Sequence, residues 1–224
     1  MKNSVKSALA AVLLSSVALP AMAADLPNLK PGMALATAQS PWMIRVRALG
    51  VLPQAGASLS GAPAGYGVAI TNSGVPELDI TYFFTKNIAA ELILGVTPHE
   101  VKGKGSIAAF GDIVSTVALP PTLTLQYHFT DFGAFKPYVG VGVNYTIYFD
   151  TTVKNPGAAP ASIKPSWGIA GQIGFDYMID QHWGFNVDVK KILMEPSVRL
   201  AGGAISGTVK INPWIIGAGV TYRF

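Results

Sequence analysis

The chain contains no cysteine and only three histidines in 224 residues. Disulfide scaffolding is therefore excluded, and His99, His128 and His182, scattered and without a thiolate partner, do not make a zinc site or any other metal site. Charge is scarce as well: 12% of residues are Asp, Glu, Lys or Arg, against roughly 25% in soluble domains, although half of the chain is hydrophobic. No basic run exists, which excludes the electrostatic footprint of a nucleic-acid binder. Beyond residue 23 there is also no apolar run long enough for a transmembrane helix, because Gly, Thr, Asn or a charge interrupts each one. High hydrophobicity without such a run leaves two classes: a soluble protein with a large core, or a membrane barrel whose apolar residues occupy every second position.

What is present begins with a leader. Lys2 and Lys6 precede an apolar stretch from Ala8 to Leu19, and Ala21-Met22-Ala23 supplies a small-x-small cleavage site. Residues 1–23 thus read as a secretory signal peptide, cut after Ala23, and removal of its two lysines takes the net charge from +4 to +2. Residues 24–41 read as a periplasmic N-terminal extension. Residues 42–224 show no composition break and read as one domain.

Within that domain, segments of about ten residues alternate between apolar and small or polar positions, the period-2 signature of strands with two different faces. Trp42–Leu52 carries Trp42, Ile44, Val46, Ala48 and Leu52 on one row and Arg45 and Arg47 on the other. Pro76–Thr85 and Ile88–Pro98 follow, joined by so short a polar turn that they form an antiparallel hairpin. Thr122–Phe129 pairs with Pro137–Phe149, and Trp167–Ile179 with Trp183–Val189; the closing segment Trp214–Phe224 makes eight. The connections alternate too. Residues 86–87, 130–136 and 180–182 are short, whereas 53–74, 99–118, 150–165 and 194–209 are long and rich in Gly, Ala, Pro and Ser. Short turns on one rim and long loops on the other is the layout of an outer-membrane barrel, with the short rim periplasmic.

A soluble eight-stranded barrel shows the same alternation with its apolar row turned inward. Aromatic placement decides between them. On the apolar row, Trp42, Phe84, Phe129, Tyr177, Trp183, Tyr222 and Phe224 stand at the short-turn ends of their strands, and Tyr145, Phe149, Trp167 and Trp214 toward the long loops. Two aromatic belts around a band of Val, Ile, Leu and Ala match the two interfaces of a bilayer. Charge agrees, since no charged residue falls on the apolar row of these eight segments. The expected fold is therefore all-β, an eight-stranded antiparallel transmembrane barrel in the cell outer membrane, with surrounding lipid as its first partner.

The segments LPPTLTLQYHF (Leu119–Phe129), KPYVGVGVNYT (Lys136–Thr146) and NPWIIGAGVTYRF (Asn212–Phe224), with the N-terminal WMIRVRALGVLP, resemble the OmpW family of small outer-membrane barrels. The resemblance covers essentially all of the chain after the leader. It implies a narrow hydrophobic channel that passes small apolar molecules inward, with a lateral opening in the wall. Tyr222 and the terminal Phe224 also resemble the signal by which the barrel-assembly machinery recognises its clients.

The residues are compatible with such a channel. Ordered by height on the inward row, Leu49, Val51, Ile93, Tyr148, Ala170, Ile192 and Ile215 lie toward the loops. Arg45, Arg47, Asp79, Glu91, Asp176, Asp188, Lys190 and Arg223 lie near the middle or base. The lumen is expected to change from apolar above to an ionic belt below. Eight strands leave a bore that side chains nearly fill, so paired charges there would exclude water and an apolar solute alike. A solute entering from the loops would have to leave sideways. The alternative is a sealed structural or receptor barrel in which the charges satisfy one another and nothing passes. A third class is a lipid-modifying barrel enzyme using His99, with Ser106, Asp112 and Ser115 in the same loop, but no motif fixes a catalytic geometry. A pure anchor or adhesin is disfavoured, since an end at Phe224 leaves no periplasmic domain. GKGSIAAFG (Gly103–Gly111) lacks the Gly-Lys-Ser/Thr ending of a phosphate loop and reads as a mobile loop. No cofactor is expected.

Overall fold

The structure, a computed structural model, describes residues 40–224. The expected signal peptide and all but the last two residues of the expected extension lie outside the described residues. Eight strands form a closed ring: β1 (Trp42–Leu52), β4 (Ser73–Phe83), β5 (Ile88–Gly95), β8 (Thr122–His128), β9 (Phe135–Val153), β11 (Ser166–Met178), β12 (Trp183–Met194) and β15 (Trp214–Arg223). Every neighbouring pair is antiparallel, and the ring closes where β1 meets β15, Met43 opposite Arg223 and Leu52 opposite Trp214.

The face assignment follows from exposure. Val141, Trp167 and Ile173 are 68%, 72% and 61% exposed, whereas inward Asn144 and Gln172 are 0% and 6% exposed. A contiguous apolar surface of this extent is tolerable only against lipid. The lower aromatic belt is knit edge to face: Trp42 and Trp183 lie 4.8 and 4.7 Å from Tyr82 and Tyr222, and Tyr222 lies 5.0 Å from Phe224. Tyr145 and Trp167 make the corresponding upper contact at 4.7 Å.

Short turns are fixed by their own side chains. Thr85 Oγ accepts from the backbone amides of Asn87 and Ile88, and Asp180 Oδ1 accepts from those of His182 and Trp183 at 2.7 Å each, the local bonding for which Thr and Asp are favoured in turns.

The long connections differ from the expectation of loops. They form two further sheets beyond the barrel's outer rim. In one, β3 (Tyr66–Ile70), β6 (Thr97–Gly105), β7 (Asp112–Leu119) and the upper half of β9 pair in that order. In the other, β10 (Ser162–Ile163), β13 (Ser197–Leu200), β14 (Ile205–Lys210) and β2 (Gly56–Ser60) bring three separate connections together. Gly103–Gly111 is accordingly the tip of the β6–β7 hairpin, closed by the Gly103 amide donating to the Gly111 carbonyl at 2.9 Å.

One boundary changes a charge count. Strand β12 runs past Val189 to Met194, so Lys191 does stand on the outward row. It sits at the upper belt, its Nζ donating to Asn212 O at 2.6 Å and lying 4.8 Å from the Trp214 ring centroid. A lysine whose stem lies on apolar surface while its head reaches the interface is compatible with lipid.

Along the axis the buried interior is layered. Met43, Phe83 and Ala89 pack at the base, and Leu49, Val51, Ala170, Ile192, Met194 and Ile215 pack in the upper barrel. A third cluster, with Ile107, Ile113, Val114 and Ala158, lies under the extracellular sheets.

Candidate functional site

Between the lower and upper apolar layers lies a plate of charge. Arg45 grips Asp176 with both arms of its fork, Nε to Oδ1 at 3.0 Å and Nη2 to Oδ2 at 2.6 Å, while Nη1 bonds Glu91. Arg47 Nη2 lies 2.7 Å from Asp79 and 3.0 Å from Glu77, and Nη1 lies 3.5 Å from Asp188. Lys190 Nζ is 2.9 Å from Glu77 and 2.8 Å from Asp188. These groups are all at most 5% exposed. Such burial is tolerable only because each charge is paired; Asp79 is held by its ion pair with Arg47 with no hydrogen bond to either oxygen, and Arg47 Nε has no hydrogen-bond partner.

Neutral groups knit the plate across the bore. Gln172 Nε2 donates to Glu91 at 3.0 Å and to Asp188 at 2.8 Å, and Gln126 Nε2 donates to Glu91 at 2.8 Å. Tyr138 donates to Asp188 at 3.1 Å, and its ring lies under the Arg45 guanidinium at 4.7 Å. Small residues make this possible. A Cβ on Gly174 would sit 2.6 Å from Tyr138 Oη, so the phenol fits only because that wall position has no side chain.

Seven of the eight charges expected in the belt are thus brought together. Arg223 stands apart below: its guanidinium stacks on Phe83 at 4.0 Å and makes none of the plate's ion pairs. The plate instead includes Glu77, together with Tyr138, Gln126, Gln172 and Asn186. The signal for all five is parity, since each lies on the inward row; for Tyr138 it is the outward placing of Val139. The four neutral residues escaped a reading that followed charge.

Above the plate is a cavity of about 340 Å³. Its floor is Glu77 and Lys190, its lower wall includes Leu49, Val51, Ile93, Ile192 and Ile215, and its upper part reaches Ile107, Ile113, Leu200 and Val209 under the extracellular sheets. Tyr148 also lines it, 3.9 Å from Met194 Sδ. Ala170 is not on the lining; it packs in the apolar cluster with Leu49 and Ile192. Sequence reasoning missed the upper half because those residues belong to segments read as loops.

The ladder of the chamber wall is interrupted between the β5–β6 and β7–β8 junctions. Ile93 pairs with Thr122 below, and Thr97 pairs with Ala118 above, but Leu94–Val96 and Leu119–Pro121 are not in register pairs with each other. Pro120 and Pro121 have no amide to donate, and their carbonyls accept from Asn144 Nδ2 on the other side at 3.1 and 3.3 Å. Gly95 and Pro120, at this interruption, both line the chamber.

His99 lies in β6 on the chamber wall, where its Nδ1 donates to the Thr71 carbonyl at 2.9 Å. Burial holds its pKa below the usual imidazole value. Of its expected companions, Asp112 faces Lys102 at 3.3 Å, Ser115 stands opposite Glu100, and the Ser106 amide bonds the Gly65 carbonyl. His99 hydrogen-bonds to none of the three; its partners are Thr71 and Ser73.

A profile described as the OmpW family matches residues 39–224. The chain belongs to the OmpW family. An uncharacterised outer-membrane protein, y4mB, of Sinorhizobium fredii is 51% identical over 85% of this chain and 82% of its own length. Outer membrane protein W of Escherichia coli is 36% identical over 88% of this chain and 94% of its own. The crystal structure of the outer membrane protein OprG from Pseudomonas aeruginosa superposes with a TM-score of 0.73 at 30% identity, covering 83% of this chain and 97% of that one. This OmpW-family barrel therefore resides in the outer membrane, its outward rows against lipid.

Proposed function

We propose that the protein admits small hydrophobic molecules from outside into the chamber and releases them sideways into the membrane, the plate of ion pairs barring the direct route to the periplasm. The observation that carries this reading is an apolar cavity floored by fully paired, buried charge. Passage through that floor would strip ions of their partners, at a cost of several kcal/mol. The interruption between Gly95 and Pro120 supplies the exit, because two chamber-lining stretches of wall lack a ladder between them there. In this reading Leu49, Val51, Ile93, Tyr148, Ile192 and Ile215 line the path, with Ala170 supporting it. Arg45, Arg47, Asp79, Glu91, Asp176, Asp188 and Lys190 form the belt, joined by Glu77.

Uptake of a panel of hydrophobic compounds by cells with and without the protein tests it. Ile93→Lys and Leu49→Asp are expected to reduce uptake to the level of cells lacking the protein. A disulfide joining cysteines placed at Gly95 and Pro120 is expected to block uptake until reduced. Uptake indifferent to all of these leaves a sealed structural barrel, and planar-bilayer conductance that shows a continuous aqueous bore overturns the plate. We also assign Tyr222 and Phe224 to recognition by the assembly machinery, for which Phe224→Ala should lower the amount inserted in the outer membrane without altering synthesis.

A further inference from the structure

Three threonines and His99 on the chamber lining share a chemical bias, whereas Tyr148 turns its hydroxyl proton to the Met194 thioether at 3.9 Å and Asn155 is engaged with the Phe110 and Gly157 backbone. Thr97 Oγ donates to the Ala118 carbonyl at 3.4 Å, Thr122 Oγ to the Pro120 carbonyl at 3.0 Å, and Thr116 Oγ to the Phe149 carbonyl at 3.3 Å. Thr122 Oγ also accepts from Asn144 Nδ2 at 2.9 Å, and Thr116 Oγ lies 3.0 Å from Thr151 Oγ, so the hydroxyl protons are engaged within the wall and a lone pair is what remains to offer. His99 behaves alike. A carbonyl can only accept, so Nδ1 carries the ring proton toward Thr71, and Nε2 is left as an acceptor on a ring that burial keeps neutral.

The floor repeats the pattern with charge. Lys190, the one cation on the lining, is 1% exposed and held on Glu77 and Asp188. Glu77 meets Arg47 and Lys190 through Oε1, and Oε2 takes part in none of those contacts. In the floor and the plate beneath, five carboxyl groups (Glu77, Asp79, Glu91, Asp176, Asp188) outnumber three cations (Arg45, Arg47, Lys190). A low-dielectric chamber transmits that excess to whatever occupies it.

We propose that the chamber selects amphiphiles whose head group donates hydrogen bonds, long-chain alcohols and alkylammonium ions, over carboxylates and esters of the same chain length. The proposal rests on the uptake reading above, since it names what the same chamber takes. A donor head finds Glu77 or a threonine oxygen. A carboxylate meets an anionic floor with its cation already engaged, and an ester brings acceptors to acceptors, leaving buried lone pairs unpaired on both sides.

The test is a solution NMR titration of the methyl-labelled full chain in detergent micelles, following the Ile93, Ile192 and Ile215 methyls. The probes are decanol, decylammonium, methyl nonanoate and decanoate at neutral pH. Decanol and decylammonium should shift these methyls at concentrations roughly tenfold below those required by the ester and the carboxylate, about the effect of one satisfied buried hydrogen bond. Glu77→Gln should narrow the advantage of decylammonium over the ester and the carboxylate. Should that substitution disturb the plate and prevent folding, His99→Leu and Thr116→Val, remote from it, should narrow the advantage of decanol over the ester. Decanoate or ester binding as tightly as decanol overturns the proposal and leaves the uptake reading standing, as does a preference unchanged in every variant that folds. If none of the four probes moves the methyls, the chamber reading falls with it.

Discussion

Arg47 and Arg223 face inward from adjacent strands, yet their surroundings assign them opposite weights. Arg47 lies within 4 Å of Glu77, Asp79, Glu91 and Asp188, so Arg47→Met leaves carboxylates facing one another in a dry bore. The expected loss is about 3–5 kcal/mol, read as a lower urea midpoint for the detergent-folded barrel. Arg223 stacks on Phe83 and enters none of the plate's ion pairs, and Arg223→Ala should cost about 1 kcal/mol or less; equal losses would refute the plate as described. At the periplasmic rim, two backbone amides hold the Asp180 carboxyl below the usual carboxylate range. A lowered folded pKa means that these bonds are present at neutral pH and weaken as pH falls through that lowered value. The His182 and Trp183 amide shifts should therefore titrate together with a midpoint below that of a free aspartate. Parity along a strand reveals that Arg47 points inward, because side chains alternate faces. Its partners on β4, β5 and β12 depend on stagger around the ring, which no single strand records.

At the scale of the strand, closeness of neighbouring backbones is set by small residues. A Cβ on Gly219 would meet the Val46 carbonyl and lie 2.6 Å from the Arg47 Cα across the closing seam. Gly219→Ala should force β1 and β15 apart and lower the temperature at which the barrel loses its compact migration on unheated gels. Gly171, whose added Cβ would meet nothing within 4 Å, is the control, and Gly171→Ala should be silent. All eight staves were legible because lipid on one side and a packed bore on the other impose a two-residue rhythm. The extracellular strands were not, because their faces pack against other connections rather than against lipid. Strand β12 read short for a related reason: Lys190 and Lys191 are adjacent, one for the plate and one for the membrane interface, and the doublet hides the alternation.

For the molecule as a whole, chamber and barrel are separable constructions. The β13–β14 hairpin contributes Val198, Leu200, Ile205 and Val209 to the chamber lining, but the ring closes without it. Replacing residues 197–210 by a short polar turn should leave a heat-modifiable barrel in the outer membrane while abolishing hydrophobic uptake; loss of the barrel itself would show that the extracellular sheets support it. The plate, by contrast, draws on seven of the eight staves, all but β15. Arg45 comes from β1, and its partners Glu91 and Asp176 come from β5 and β11, on opposite arcs of the ring. An open sheet in which β15 has yet to meet β1 cannot hold these residues face to face, so its carboxylates and guanidinium groups must stay hydrated. Closure is then the step at which the charges can leave water, and a half-built barrel has little reason to enter the bilayer. On this geometry the full set of ion pairs exists only once the ring is complete.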